Sequence, residues 1–75
     1  MAPGKSTYEV LGVGQKGSSV ETLQRLLIIH GYPCEPTGMF DYQTLTHVKA
    51  FQKANGLDAH GIVGESTWKA LQKVE

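Results

Sequence analysis

Gly38-Met39-Phe40-Asp41-Tyr42-Gln43-Thr44-Leu45-Thr46-His47-Val48 and Gly61-Ile62-Val63-Gly64-Glu65-Ser66-Thr67-Trp68-Lys69-Ala70-Leu71 are two versions of one pattern, set 23 positions apart. Gly38 falls on Gly61, Phe40 on Val63, Thr44 on Thr67 and Val48 on Leu71. Each version reads as a glycine turn, an apolar plug and a helix. Glycine permits the tight turn. Phe40 and Val63 are placed to insert under the helix that follows. Thr44 and Thr67 fall in each helix's first turn, where a hydroxyl can bond backbone groups that have no intrahelical partner. A second echo pairs Val20-x-x-Leu23-Gln24 with Val48-x-x-Phe51-Gln52.

Outward from this repeat, three helices are predicted. The first begins at Ser18, with Glu21 three positions on, the spacing of a capping box. Val20, Leu23 and Leu27 share one face with Leu26 on its flank, Gly31 closes the helix, and Pro33 and Pro36 prevent its continuation. The second starts at Asp41, an N-cap whose charge suits the helix dipole, and stops at Asn55-Gly56. The third starts near Gly64 and Glu65 and runs to about Lys73. Upstream, Tyr8, Val10 and Leu11 form a short apolar segment able to fold back on the core. The expected fold is all-α: a compact three-helix bundle with an internal turn-helix repeat over residues 8–75. Residues 1–7, with Pro3 and Gly4, read as a flexible lead-in or linker.

The chain of 75 residues is one domain. At this size folding buries only about 60% of the unfolded surface. Seven Lys plus Arg balance seven Asp plus Glu, so the basic excess typical of nucleic-acid binders is absent. Lys49, Lys53, Lys69 and Lys73 read as a solvated helix face. A single cysteine, Cys34, makes no internal disulfide. No apolar run approaches the roughly 18 residues of a membrane span, and no signal-peptide segment is visible, as in an excised domain or a phage-type exported protein.

Gly12-Val13-Gly14-Gln15-Lys16-Gly17 is a literal G-x-G-x-x-G, with Glu35 beyond it. A dinucleotide site needs flanking parallel strands, whereas Glu35 sits between Pro33-Cys34 and Pro36. The stretch reads as a flexible turn into the first helix. His30, Cys34, His47 and His60 lack the paired short spacings of a zinc site. A Cys–His nucleophile would need an orienting group and an oxyanion pocket. The acidic residues show no pair spaced for glycosidase chemistry. No catalytic residue, metal site or cofactor is expected.

The run Gly17-x2-Val20-x2-Leu23-Gln24-x2-Leu27-x3-Gly31-Tyr32 resembles the first half of the peptidoglycan-binding domain family attached to bacterial and phage cell-wall hydrolases. Gly38-x-Phe40-x3-Thr44-x3-Val48-x2-Phe51-Gln52-x2-Asn55-Gly56-Leu57 and Gly61-Ile62-Val63-Gly64-x2-Thr67-Trp68-x2-Leu71 resemble the second. The likeness runs from Leu11 to about Gln72. Where that family often has Asp before the turn glycine, this chain has Thr37 and His60; where it often has Gly after the plug, Asp41 follows Phe40. The resemblance implies a non-catalytic, endolysin-like module that binds peptidoglycan and targets a cell-wall hydrolase, attached or partnered, to its substrate. It would be a monomer working at the cell wall or another extracellular or periplasmic place, with neither nucleic acid nor membrane as partner. The alternative is a protein-interaction or pro-segment module of the same fold, using Ile28 and Ile29 as a contact surface. For wall binding the expected ligand residues are Tyr42, Gln43, His47, Asn55, Asp58 and His60, lining a shallow groove of helix two and the two repeat turns. Gln24 and Gln52 are expected to brace loop backbone instead.

Overall fold

The computed structural model describes residues 9–73; the lead-in expected over residues 1–7, and Tyr8, lie outside them. Three helices are present, α1 (Ser18–Ile29), α2 (Tyr42–Ala54) and α3 (Glu65–Leu71), and among the described residues there is no strand, only two isolated β-bridges.

Helix α1 buries Val20, Leu23, Gln24 and Leu27, the stripe its spacing predicts. The expected capping box at Ser18 does not form. The N-cap is Gly17, at φ 137° and ψ −174°, and no side chain bonds there. The Gly17 N–H donates to the Gly38 carbonyl at 2.9 Å, which fixes the entry one residue early and places Ser18 inside the helix. Glu21 pairs with Arg25 instead, at 2.8 Å on the exposed side, an interaction worth only about 0.3–0.5 kcal/mol.

Helices α1 and α2 end in the same way. Gly31 (φ 96°) and Gly56 (φ 74°) take left-handed conformations. The N–H of Tyr32 reaches back to Leu27 O, and that of Leu57 to Gln52 O. Gly31 N–H bonds Ile28 O and Gly56 N–H bonds Lys53 O. These paired bonds are a Schellman closure, which satisfies carbonyls that a helix end leaves open. At the start of α2 the Asp41 carboxylate accepts the Thr44 N–H at 2.9 Å, as an N-cap should.

The core joins Leu11, Val20, Leu23, Leu27, Cys34, Phe40, Val48, Phe51, Val63, Trp68 and Leu71, so both plugs and both repeat helices meet α1 in one interior. Leu11 is buried, whereas Val10 is exposed. The Gly12–Gly17 stretch is no loose turn. The segment from Glu9 to Gly17 forms a strap across both repeat turns: Leu11 bridges Val63, and Lys16 bridges Met39. Gly14 N–H donates to Phe40 O, and Phe40 N–H to Gln15 O. The Trp68 indole N–H donates to Glu9 O at 2.7 Å, and Ser19 bonds the Glu9 carboxylate.

Candidate functional site

Each repeat turn is held by one buried glutamine. Gln24 accepts the Gly38 N–H on Oε1 at 2.8 Å, and its Nε2 donates to Met39 O at 2.9 Å and Thr44 Oγ1 at 3.0 Å. Gln52 makes the matching set: it accepts Gly61 N–H at 2.9 Å and donates to Ile62 O at 2.9 Å and Thr67 Oγ1 at 3.1 Å. Both side chains are almost fully buried, and a buried amide is tolerable only when its hydrogen bonds are made. The two glutamines are therefore braces, not ligand contacts. Thr44 and Thr67 do not use their hydroxyls on helix-end backbone, as their positions suggested. The amides of Gln24 and Gln52 take them.

Behind the second turn lies an open depression of about 290 Å³, lined by Gly56, Leu57, Asp58, His60, Ser66 and Thr67. The Schellman closure at Gly56 supplies one wall, and the first turn of α3 the other. His60 is oriented from within: the Ile62 N–H donates to His60 Nδ1 at 3.0 Å. A ring nitrogen that accepts carries no proton, so in the neutral ring the proton sits on Nε2, which becomes a donor.

Of the six residues expected in one groove, the structure brings Asp58 and His60 together in this depression. The others do not line it. Tyr42 and Gln43 are exposed at the start of α2. Tyr42 shares a helix face with Leu45 and Lys49, whose side chains lie closest to Gly61. His47 is half-buried, with its ring edge against Tyr32 at 6.1 Å. Asn55 spends its amide Nδ2 on Phe51 O at 2.8 Å, closing α2. The six expected residues therefore do not form one groove along α2; two of them meet in a depression at the second turn. Ser66 also lines the depression; it is the repeat counterpart of Gln43, and that equivalence is the sequence signal that points to it.

The groups that might have carried catalysis are otherwise engaged. Cys34 is buried, and its burial pushes the thiol pKa up, partly opposed by its contact with Thr44 Oγ1 at 3.6 Å; a protonated thiol is a poor nucleophile. His30 Nε2 is bound to Leu71 O at 2.8 Å. Among the described residues no group of three His, Cys, Asp or Glu is arranged to hold a metal ion.

The two braced turns and their strap can be set against known proteins. A profile of the peptidoglycan binding domain family matches residues 16–71. The chain belongs to that family. This peptidoglycan-binding module is 38% identical over 73 residues to the N-acetylmuramoyl-L-alanine amidase CwlL of Bacillus licheniformis, covering 93% of this chain but only 20% of that protein. It superposes on the Burkholderia AP3 phage endolysin with a TM-score of 0.85 at 36% identity, over 89% of this chain and 26% of the other. It matches the SleB N-terminal domain with a TM-score of 0.84 at 31% identity, over 89% of this chain and 93% of that one. The module thus spans about a fifth of the amidase and a quarter of the endolysin, and nearly all of the SleB domain.

Proposed function

We propose that this chain is a non-catalytic module that binds bacterial peptidoglycan and holds a cell-wall hydrolase, joined to it or partnered with it, near its substrate. It would act as a monomer at the cell wall, with no nucleic-acid or membrane partner. The observation that carries this reading is the braced second turn of a peptidoglycan-binding domain, which opens a polar depression at Asp58, His60 and Ser66. The amidase and endolysin relatives support wall binding over the protein-interaction or pro-segment alternative. The absence of catalysis is supported by the site's composition. Asp58 is its only carboxylate, whereas glycoside hydrolysis ordinarily needs two, and the thiol and His30 are engaged elsewhere.

An open site of this size should hold one wall fragment weakly. Repeated epitopes on the wall, together with a tether to an enzyme, raise the effective affinity. The test is sedimentation with purified insoluble wall. The domain should pellet at low salt without clearing the suspension. A domain that stays in the supernatant refutes the targeting role, and loss of turbidity refutes the non-catalytic one.

A further inference from the structure

The wall polymer has two chemically distinct parts, sugar strands and stem peptides. We propose that the Asp58–His60–Ser66 depression takes the stem peptide, with a free amino group of the peptide on the Asp58 carboxylate and a peptide carbonyl or carboxylate on His60 Nε2–H. This inference rests on the wall-binding reading and sharpens it.

Three observations carry it. The first is what lines the site. Pyranose rings are gripped on flat aromatic faces, and no aromatic residue other than His60 lines the depression. Trp68, Phe40 and Phe51 are buried, Tyr32 is half-buried, and Tyr42, the one exposed Phe, Tyr or Trp among the described residues, stands on α2 outside it. The second is the pairing of charges and donors. Asp58 offers an anionic acceptor, and His60, its tautomer fixed by Ile62 N–H, offers a donor. A peptide stem presents both complements, an amino group and carbonyl or carboxylate oxygens, whereas a neutral sugar strand presents neither ion. The third is size and rigidity. About 290 Å³ lies at the bottom of the roughly 300–1,000 Å³ range of ligand pockets, room for a short peptide segment rather than a run of N-acetylated sugars. The turn that carries His60 is also pinned by Gln52 through Gly61, so little ordering is left for binding to impose.

The experiment titrates the ¹⁵N-labelled chain with two soluble probes: a synthetic stem tetrapeptide with a free ω-amino group at its third residue, and a peptide-free glycan tetrasaccharide. The tetrapeptide should shift the Asp58, His60 and Ser66 amides saturably, and the glycan should leave them in place. Shifts at these residues from the glycan, with or without the peptide, overturn the proposal while leaving wall binding standing. So does silence from both probes when insoluble wall still retains the domain. If the wall does not retain it, the functional reading falls and takes this one with it.

Two variants test the assignments. Acetylating the ω-amino group should weaken binding to the unmodified domain about three- to tenfold and bring no further loss with Asp58→Asn; equal losses in both overturn the Asp58 contact. His60→Asp keeps an acceptor for Ile62 N–H but removes the donor, and should lose a similar factor. Unchanged affinity, with the Gly61 and Ile62 amide shifts of the free domain preserved, overturns the His60 contact.

Discussion

In the first turn unit 14 positions separate Gln24 from Gly38; in the second, 9 separate Gln52 from Gly61. Three hydrogen bonds at each end are nevertheless equivalent, Gln24 adding a longer one to Thr37 Oγ1 at 3.3 Å. The extra length has two sources. Helix α1 runs five residues past its glutamine and α2 only two, and the linker between the helix-closing and turn glycines is two residues longer in the first unit. The first unit uses that length to fill itself: Cys34 descends into the core beside Thr44, and His30 reaches Leu71. In the second, Thr67 instead lines an open depression. The same glutamine brace thus closes both turns, whatever the length of chain it spans.

That equivalence can be broken most sharply at the turn glycines. A Cβ on Gly61 would lie 2.3 Å from Leu45 Cδ1, whereas on Gly38 it would meet only Gly17 O at 3.4 Å. Both residues have φ above +80°. Gly61→Ala should therefore combine overpacking with left-handed strain and cost about 3 kcal/mol, against about 1–2 kcal/mol for Gly38→Ala. Urea unfolding of the pair measures the difference; equal losses would mean that the turns are packed alike.

The braces come next. Gln52→Met keeps the volume but strips the hydrogen bonds from Gly61 N–H, Ile62 O and Thr67 Oγ1, and should cost about 3 kcal/mol. Gln24→Met should cost about 2 kcal/mol, because Gly38 is only half-buried whereas Gly61 is buried.

A smaller effect is expected at the cap of α2. Asp41→Ala should cost about 1 kcal/mol. Hydrogen bonding from the Thr44 backbone holds the Asp41 carboxyl pKa below its ordinary 3.8. Its contribution is therefore complete above about pH 4 and disappears as pH falls through the lower folded-state value. Asp41→Asn should nearly match the parent at pH 7 and flatten that acid-side decline in a urea-midpoint series.

The smallest effect sharpens the comparison. Gly64 stands where Asp41 does in the repeat, in a similar extended conformation, with no side-chain cap and open space around its Cα. Gly64→Asp should transplant the cap onto α3 and raise stability by about 0.3 kcal/mol. A fall in the thermal midpoint would show that the two helix starts are not interchangeable.

Much of this was legible in the chain itself. The apolar stripes, the Phe40 and Val63 plugs, the Asp41 cap and the bracing role of Gln24 and Gln52 follow from period and position, because each depends on neighbours within a turn or on the repeat. What was not legible depends on partners remote in sequence. Ser18 looks like a cap until the Gly17–Gly38 bond moves the helix start. Gly12 to Gly17 looks loose until its backbone finds Phe40 and Gly38. That the six expected residues do not share one groove was hidden for the same reason: His47 is turned toward Tyr32, and Asn55 bonds α2's own end. Ser66 is legible only through the repeat, as the counterpart of Gln43.

The strap from Glu9 to Gly17 gives the module a mechanical polarity. A load applied at Glu9 reaches the Trp68 indole and the Leu11–Val63 bridge first, and only afterwards the bonds to Phe40 and Gly38. The strap therefore leaves α3 and the second turn first, while it still clasps the first turn. Pulled from that end, the strap would open like a zip with a fixed order of release, its contacts to Trp68 and Val63 yielding before those to Phe40 and Gly38.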